Sequence, residues 1–217
     1  MRIGFDAKRA FFNSTGLGNY SRDSIRVLSK HFPLNQYFLY TPKAKENIRL
    51  SFLQNRENTF VRTPFSFLGN LFKNYWRTSD IVKDLQQDEI DIFHGLSHEL
   101  PLAIEKTNIK SVVTIHDLIF IRYPHLFSAI DRKIYLKKFQ SACNRADKII
   151  AISQQTKSDI IEFLKIEATK IEVVYQGCNK VFQSSISEEK IIEVFKKYKL
   201  QLPDNCYGVK RRFFDRQ

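Results

Sequence analysis

Short apolar runs alternate along this chain with longer segments in which apolar residues recur every three or four positions. The first pattern predicts buried strands and the second amphipathic helices. Strands are predicted at 2–7 (RIGFDA), 36–41 (QYFLYT), 59–63 (TFVRT), 90–95 (IDIFHG), 109–117 (IKSVVTIHD), 147–153 (DKIIAIS) and 170–177 (KIEVVYQG). Helices are predicted over 17–31, 69–87, 129–145, 154–165 and 187–200. Continuous apolar strands separated by helices imply a parallel sheet covered on both faces. The predicted fold class is α/β, a Rossmann-like, doubly wound, mainly parallel sheet. Such sheets bind ligands beyond the carboxyl ends of their strands, so the residues that follow each strand carry the candidate chemistry.

The first such segment holds Gly16, Leu17, Gly18, Asn19 and Tyr20 ahead of a helix. Exposed amides at a helix start suit an anion. A plain loop that needs glycine's freedom fits equally well. The dinucleotide fingerprint is not met, because its third glycine position is Ser21 and no acid ends the second strand. In HGLSHELP (94–101), His94 and His98 are four apart with Glu99 adjacent. Zinc proteases place the glutamate directly after the first histidine, so a polar loop over a cleft is the better reading. His116 and Asp117 close the strand of 109–117. A histidine there suits a ligand contact or proton transfer near neutral pH, or a turn at the domain edge. Ser153 reads as the cap of the helix that follows it.

Composition narrows the class. The chain has 217 residues, 43% of them hydrophobic, which suffices for one sizeable domain. No apolar run reaches the length of a membrane span, and the N-terminus lacks the pattern of a signal peptide. Cys143, Cys178 and Cys206 are odd in number and widely spaced, as expected of reduced thiols in the cytoplasm. The net charge is +12, from 35 basic and 23 acidic residues. That excess fits a phosphate-bearing partner or a lysine-rich solvated surface. Nucleic acid is set aside as a partner because no recognised DNA or RNA motif occurs. The aromatic and basic stretch at 65–77 fits either a membrane-surface contact or core packing of Phe72, Tyr75 and Trp76.

Taken in order, TGLGNYSRDSIRVL, WRTSDIVKDLQQDEIDIFHGLSHELP, SVVTIHDLIFIRYPHLFS, RADKIIAISQQTKSDIIEFL and KIEVVYQGCNKVF resemble the N-terminal half of family-4 (group 1) glycosyltransferases of the GT-B fold. The resemblance is nearest to the bacterial branch that builds polysaccharide and lipopolysaccharide. It implies an acceptor-binding N-terminal domain over 1–200 and a nucleotide-sugar domain beyond it. It further implies retention of anomeric configuration, no metal ion and no cofactor. The substrates would be a GDP- or UDP-hexose, mannose-like, and a glycan or lipid-linked acceptor. By resemblance His116 and Asp117 are the catalytic candidates. Gly16, Leu17 and Gly18 approach the donor diphosphate, and Asn19, Tyr20, His94 and Glu99 face the acceptor. The family's paired glutamates are missing, and 201–217 reads as a linker remnant or aberrant tail. The expectation is therefore a truncated chain, inactive alone, cytoplasmic or peripheral at the inner membrane face. The alternative is a non-catalytic binding module, or half of a split enzyme with a separate donor domain.

Overall fold

The computed structural model describes residues 1–65, 75–178 and 186–199. Seven strands form one sheet: β1 (Arg2–Asp6), β2 (Gln36–Tyr40), β3 (Thr59–Arg62), β4 (Ile92–Gly95), β5 (Lys110–Ile115), β6 (Lys148–Ala151) and β7 (Ile171–Val173). Their order is β3-β2-β1-β4-β5-β6-β7, and every pairing is parallel. The chain thus winds outward from β1 to β3 and then restarts on β1's other side at β4. The gap between the carboxyl ends of β1 and β4 is the switch point, the usual ligand crevice of such sheets.

The helices are α1 (Lys8–Phe12), α2 (Gly16–His31), α3 (Ile81–Gln87), α4 (Ile119–Arg122), α5 (Ala129–Arg145), α6 (Gln154–Leu164) and α7 (Glu188–Tyr198). Successive strand residues face opposite sides, and β2 shows the result. Tyr37 and Leu39 join a core with Phe5, Ala10 and Ile25. Phe38 and Tyr40 join the other core with Ile81, Leu85, Phe139 and Ile160. The helices therefore cover both faces, as the apolar runs require.

Two caps were foreseeable from residue type. Ser153 accepts from the Thr156 amide at 3.0 Å, and Ser128 from the Asp131 amide at 3.1 Å. Side-chain caps of this kind contribute about 0.5–2 kcal/mol each. The short helix α1 was not anticipated, because five residues are too few for a periodic signal. The final strand ends at Val173, short of the predicted 177, and Val174–Gln176 follow without regular secondary structure. Trp76 is buried and its Nε1–H donates to Asp84 Oδ2 at 2.7 Å, so core packing holds for that residue. Tyr75 is exposed, and Phe72 lies outside the described residues.

The chain divides into two compact units, 1–176 and 177–217. The sheet and its helices make up the first. In the second, α7 is an amphipathic helix none of whose side chains is buried. The predicted tail, 201–217, lies outside the described residues.

Candidate functional site

At the carboxyl edge of β1, β4 and β5 the chain gathers polar groups from six separate segments. Asp6 ends β1, and its Oδ2 accepts from Arg77 Nε at 3.0 Å. The other arm of Arg77 pairs with Glu99, which also takes Lys138 Nζ from α5 at 3.2 Å. Burial pushes the Glu99 carboxyl up, but Arg77 and Lys138 outweigh it and hold the group below the usual range. Burial likewise works against the Arg77 charge, and Asp6 and Glu99 more than restore it. Lys8, at the start of α1, has its pKa lowered by burial and by Arg77.

The histidines lie beside this network. His94 sits within β4, not on the loop after it, and its Nε2 is 2.8 Å from Thr114 Oγ1. The same hydroxyl is 3.0 Å from the Tyr20 hydroxyl. Thr114 thus links α2 to β4 through β5. Burial, assisted by His116, pushes the His94 pKa down to about 4, and burial raises that of Tyr20. His116 follows β5 and is buried. Its Nε2 is 3.0 Å from the Leu96 carbonyl oxygen, and its ring meets Tyr20 edge-on at 4.7 Å. Burial lowers its pKa, against smaller opposing effects of the Leu96 bond and Asp117. Asp117 is exposed, and its Oδ1 accepts from the Ile119 amide at 3.2 Å, closing the turn into α4.

The glycine segment divides in two. A Cβ on Gly18 would stand 1.9 Å from the Asn13 carbonyl oxygen, so the residue is required for packing of the chain on itself. The Gly18 amide is also engaged, donating to Asn13 Oδ1 at 3.3 Å. Gly16 faces open space. The first-turn amides of Gly16 and Leu17 have no intrahelical acceptor by the geometry of a helix. Asn19 is exposed and accepts from Arg22 at 2.6 Å.

The structure therefore brings Tyr20, His94, Glu99 and His116 to one edge, and leaves Asp117 serving a turn. Nothing in the sequence reading points to Asp6, Arg77, Thr114 or Lys138, and His98 enters it only as the second histidine of HGLSHELP. Strand-end logic alone could have found Asp6. Nothing local marks Arg77, which reaches the site from a separate segment. Among the described residues no group of three or more His, Cys, Asp or Glu is disposed to hold a metal ion. An open depression of about 690 Å³ lies at the opposite edge, lined by Met1, Glu89, Asp91, Thr107 and Lys110 among others. It is far from these groups, and strand polarity favours the carboxyl edge as the ligand site.

Residues 16–180 match the sequence profile of Glycosyltransferase Family 4. The chain belongs to that family. No curated protein matches it. Among solved structures, a glycosyltransferase from Rickettsia africae ESF-5 aligns with a TM-score of 0.51 at 16% identity, over 93% of this chain and 50% of that one. Anabaena Alr3699/HepE in complex with UDP and glucose gives 0.58 at 17% identity, over 92% and 50%. The same Anabaena protein in complex with UDP-glucose gives 0.56 at 15%, over 92% and 50%. These likenesses show a shared fold, and this family-4 chain spans about half the length of the solved structures it matches. No helix among the described residues is long and apolar enough to cross a membrane.

Proposed function

We propose that residues 1–176 form the acceptor-side half of a glycosyltransferase site that moves a hexose from a nucleotide-sugar to a glycan or lipid-linked acceptor. The observation that carries this reading is the convergence of Tyr20, His94, Glu99 and His116 at the switch-point edge of a family-4 chain. The donor would be a UDP- or GDP-hexose, and the UDP and UDP-glucose complexes of Anabaena Alr3699/HepE favour uridine. Retention of configuration, metal independence and a mannose-like sugar rest on the family resemblance alone. A donor-side domain, on the same polypeptide or another, would complete the cleft.

The physical logic is electrostatic. A departing nucleoside diphosphate gains negative charge in the transition state, and preorganised donors stabilise it best where water is excluded. Two open amides, those of Gly16 and Leu17, start α2 at this edge. His116, held neutral by burial, is suited to accept a hydrogen bond from a sugar or acceptor hydroxyl. Positioned proton transfer contributes about 10²–10⁴-fold to a rate.

The test joins residues 1–176 to the donor-side domain of a family-4 enzyme and assays hexose transfer from UDP- and GDP-sugars to lipid-linked acceptors. Transfer by the joined protein, lost by about 10²–10⁴-fold in His116→Ala at equal folded fraction, is the expected result. The 217-residue chain alone is expected to transfer nothing, because catalysis needs both reactants in one geometry. A His116→Ala variant with wild-type turnover removes the histidine from the mechanism.

A further inference from the structure

His98 stands at the centre of the site edge, yet the reading above gives it no task. Its backbone is left-handed, with φ 63°, a conformation uncommon for any residue other than glycine. Four contacts hold it there. Its amide donates to the Thr114 carbonyl at 3.0 Å. Its Nδ1 accepts from the His116 amide at 3.4 Å. Its ring stacks on Phe139 at 4.4 Å with 14° between planes, and meets the His116 ring edge-on at 5.1 Å. His98 thereby pins the turn of residues 96–98 onto the end of β5.

That turn carries the atom that decides the protonation of His116. The Leu96 carbonyl oxygen, 3.0 Å from His116 Nε2, can only accept, so Nε2 bears the hydrogen. Nδ1 is then the bare nitrogen. It faces the side-chain amide of Gln176 at 3.4 Å. Gln176 is exposed, so an incoming hydroxyl can take its place. His98 itself stays neutral, since burial, His116 and Arg9 push its pKa down to about 3. A neutral His98 with an acceptor Nδ1 is what the bond from the His116 amide requires.

We infer that His98 is a positioning residue that fixes His116 in its Nε2–H tautomer, so that Nδ1 is the nitrogen His116 offers to a sugar or acceptor hydroxyl. The ligand half of this statement rests on the proposed transferase reading, and the tautomer half does not. The hydroxyl would donate to Nδ1 and displace the Gln176 amide. The sugar would never have to compete with the Leu96 carbonyl.

The experiment is long-range ¹H–¹⁵N correlation of the imidazoles in the ¹⁵N-labelled 217-residue chain at neutral pH, with no ligand and no turnover. Wild type is expected to show His116 as a single tautomer, protonated at Nε2. His98→Gly suits the left-handed backbone and deletes the ring and its acceptor, so the fold survives and His116 should become a mixture of tautomers. His98→Asn tolerates the same backbone and restores an acceptor, and should return the mixture toward Nε2–H. Gln176→Ala should shift the Nδ1 signal and leave the tautomer unchanged. A wild-type His116 protonated at Nδ1, or a His98→Gly variant that keeps the single Nε2–H form, overturns the inference. A confirmed tautomer together with wild-type transfer in His116→Ala would instead remove His116 from the transfer mechanism and leave the positioning role of His98 intact, whereas no transfer by the joined protein would sink the transferase reading alone.

Discussion

Arg77 Nε lies 3.0 Å from Asp6 Oδ2, and the same guanidinium pairs with Glu99, so one cation joins the end of β1 to the loop after β4. The three side chains are 13%, 8% and 26% exposed, which makes this a largely desolvated ion pair across the switch point. A buried pair adds little net stability over an apolar replacement, but removing one partner leaves an uncompensated charge. Arg77→Ala is therefore expected to cost about 3 kcal/mol, the low end for such a loss, because Glu99 keeps Lys138 and some water. Combining Arg77→Met with Asp6→Asn and Glu99→Gln should recover most of that. Urea denaturation of the single and triple variants measures both, and a single-variant loss below about 1 kcal/mol would show the bridge to be a surface-type pair.

Histidines withdrawn from solvent make stability depend on acid, His94 buried and His98 half-buried. His94 and His98 have folded pKa values of about 4 and about 3, against an unfolded value near 6.5. Both are neutral in the folded chain, so their contribution is complete above pH 6.5. As pH falls below that, the unfolded chain binds protons that the folded chain does not. Stability should then drop by up to about 1.4 kcal/mol per pH unit for each group, down to roughly pH 4. Unfolding free energies measured across pH 4–7 should show this slope. His94→Gln keeps a partner for Thr114 without a titrating ring, and should flatten the slope in part, because His98 and His116, whose pKa values burial also lowers, keep titrating.

Gly16 and Gly18 separate packing from ligand space. Gly18→Ala drives a methyl into the Asn13 carbonyl, which the site can relieve only by moving α2. A loss of about 1–3 kcal/mol or more is expected, in line with overpacked positions. Gly16→Ala meets nothing, and fixing a helical glycine there should add about 0.4–1 kcal/mol. Thermal melts settle the pair. If the donor diphosphate approaches Gly16, the same stabilised variant in the joined protein should lose donor affinity, a signature no packing effect produces.

The contrast between these glycines shows what the sequence could reveal. The sheet was legible because its strands are buried on both faces and read as unbroken apolar runs, with helices such as 129–145 between them. The strand-end histidine was legible for the same reason, since a polar residue closing an apolar run in a parallel sheet has a known address. The partners were not. Arg77 reaches Asp6 from 71 residues away and Glu99 from 22, and an ion pair across elements leaves no local spacing to read. His98 was visible only as the second of two histidines, and its task depends on a left-handed backbone that nothing in HGLSHELP requires. For Gly18, sequence suggested space for a ligand, and the structure shows the space filled by Asn13.

The last prediction concerns where an acceptor would be met. Beside the site, Tyr123, Leu126, Ile130 and Ile134 are 49%, 63%, 71% and 47% exposed along α4, the following turn and the start of α5. Lys133 and Lys137 stand among them, one helical turn apart and exposed, and α5 reaches the site through Lys138 and Glu99. Exposed apolar side chains beside these lysines, which outnumber the neighbouring Asp131, suit the boundary of an anionic bilayer. Each lysine near such a surface contributes about 1 kcal/mol. The 217-residue chain is therefore expected to float with phosphatidylglycerol vesicles and not with purely zwitterionic ones. Replacing Lys133 and Lys137 by Gln removes about 2 kcal/mol, roughly a thirty-fold loss of partitioning, and high salt should mimic it. Ile130→Asp with Ile134→Asp should abolish binding even at low salt, because the apolar half of the contact is gone. Equal flotation with neutral vesicles, or a soluble dimer that dissociates in the Ile130→Asp variant while vesicles bind nothing, would assign this face to protein contact instead of lipid.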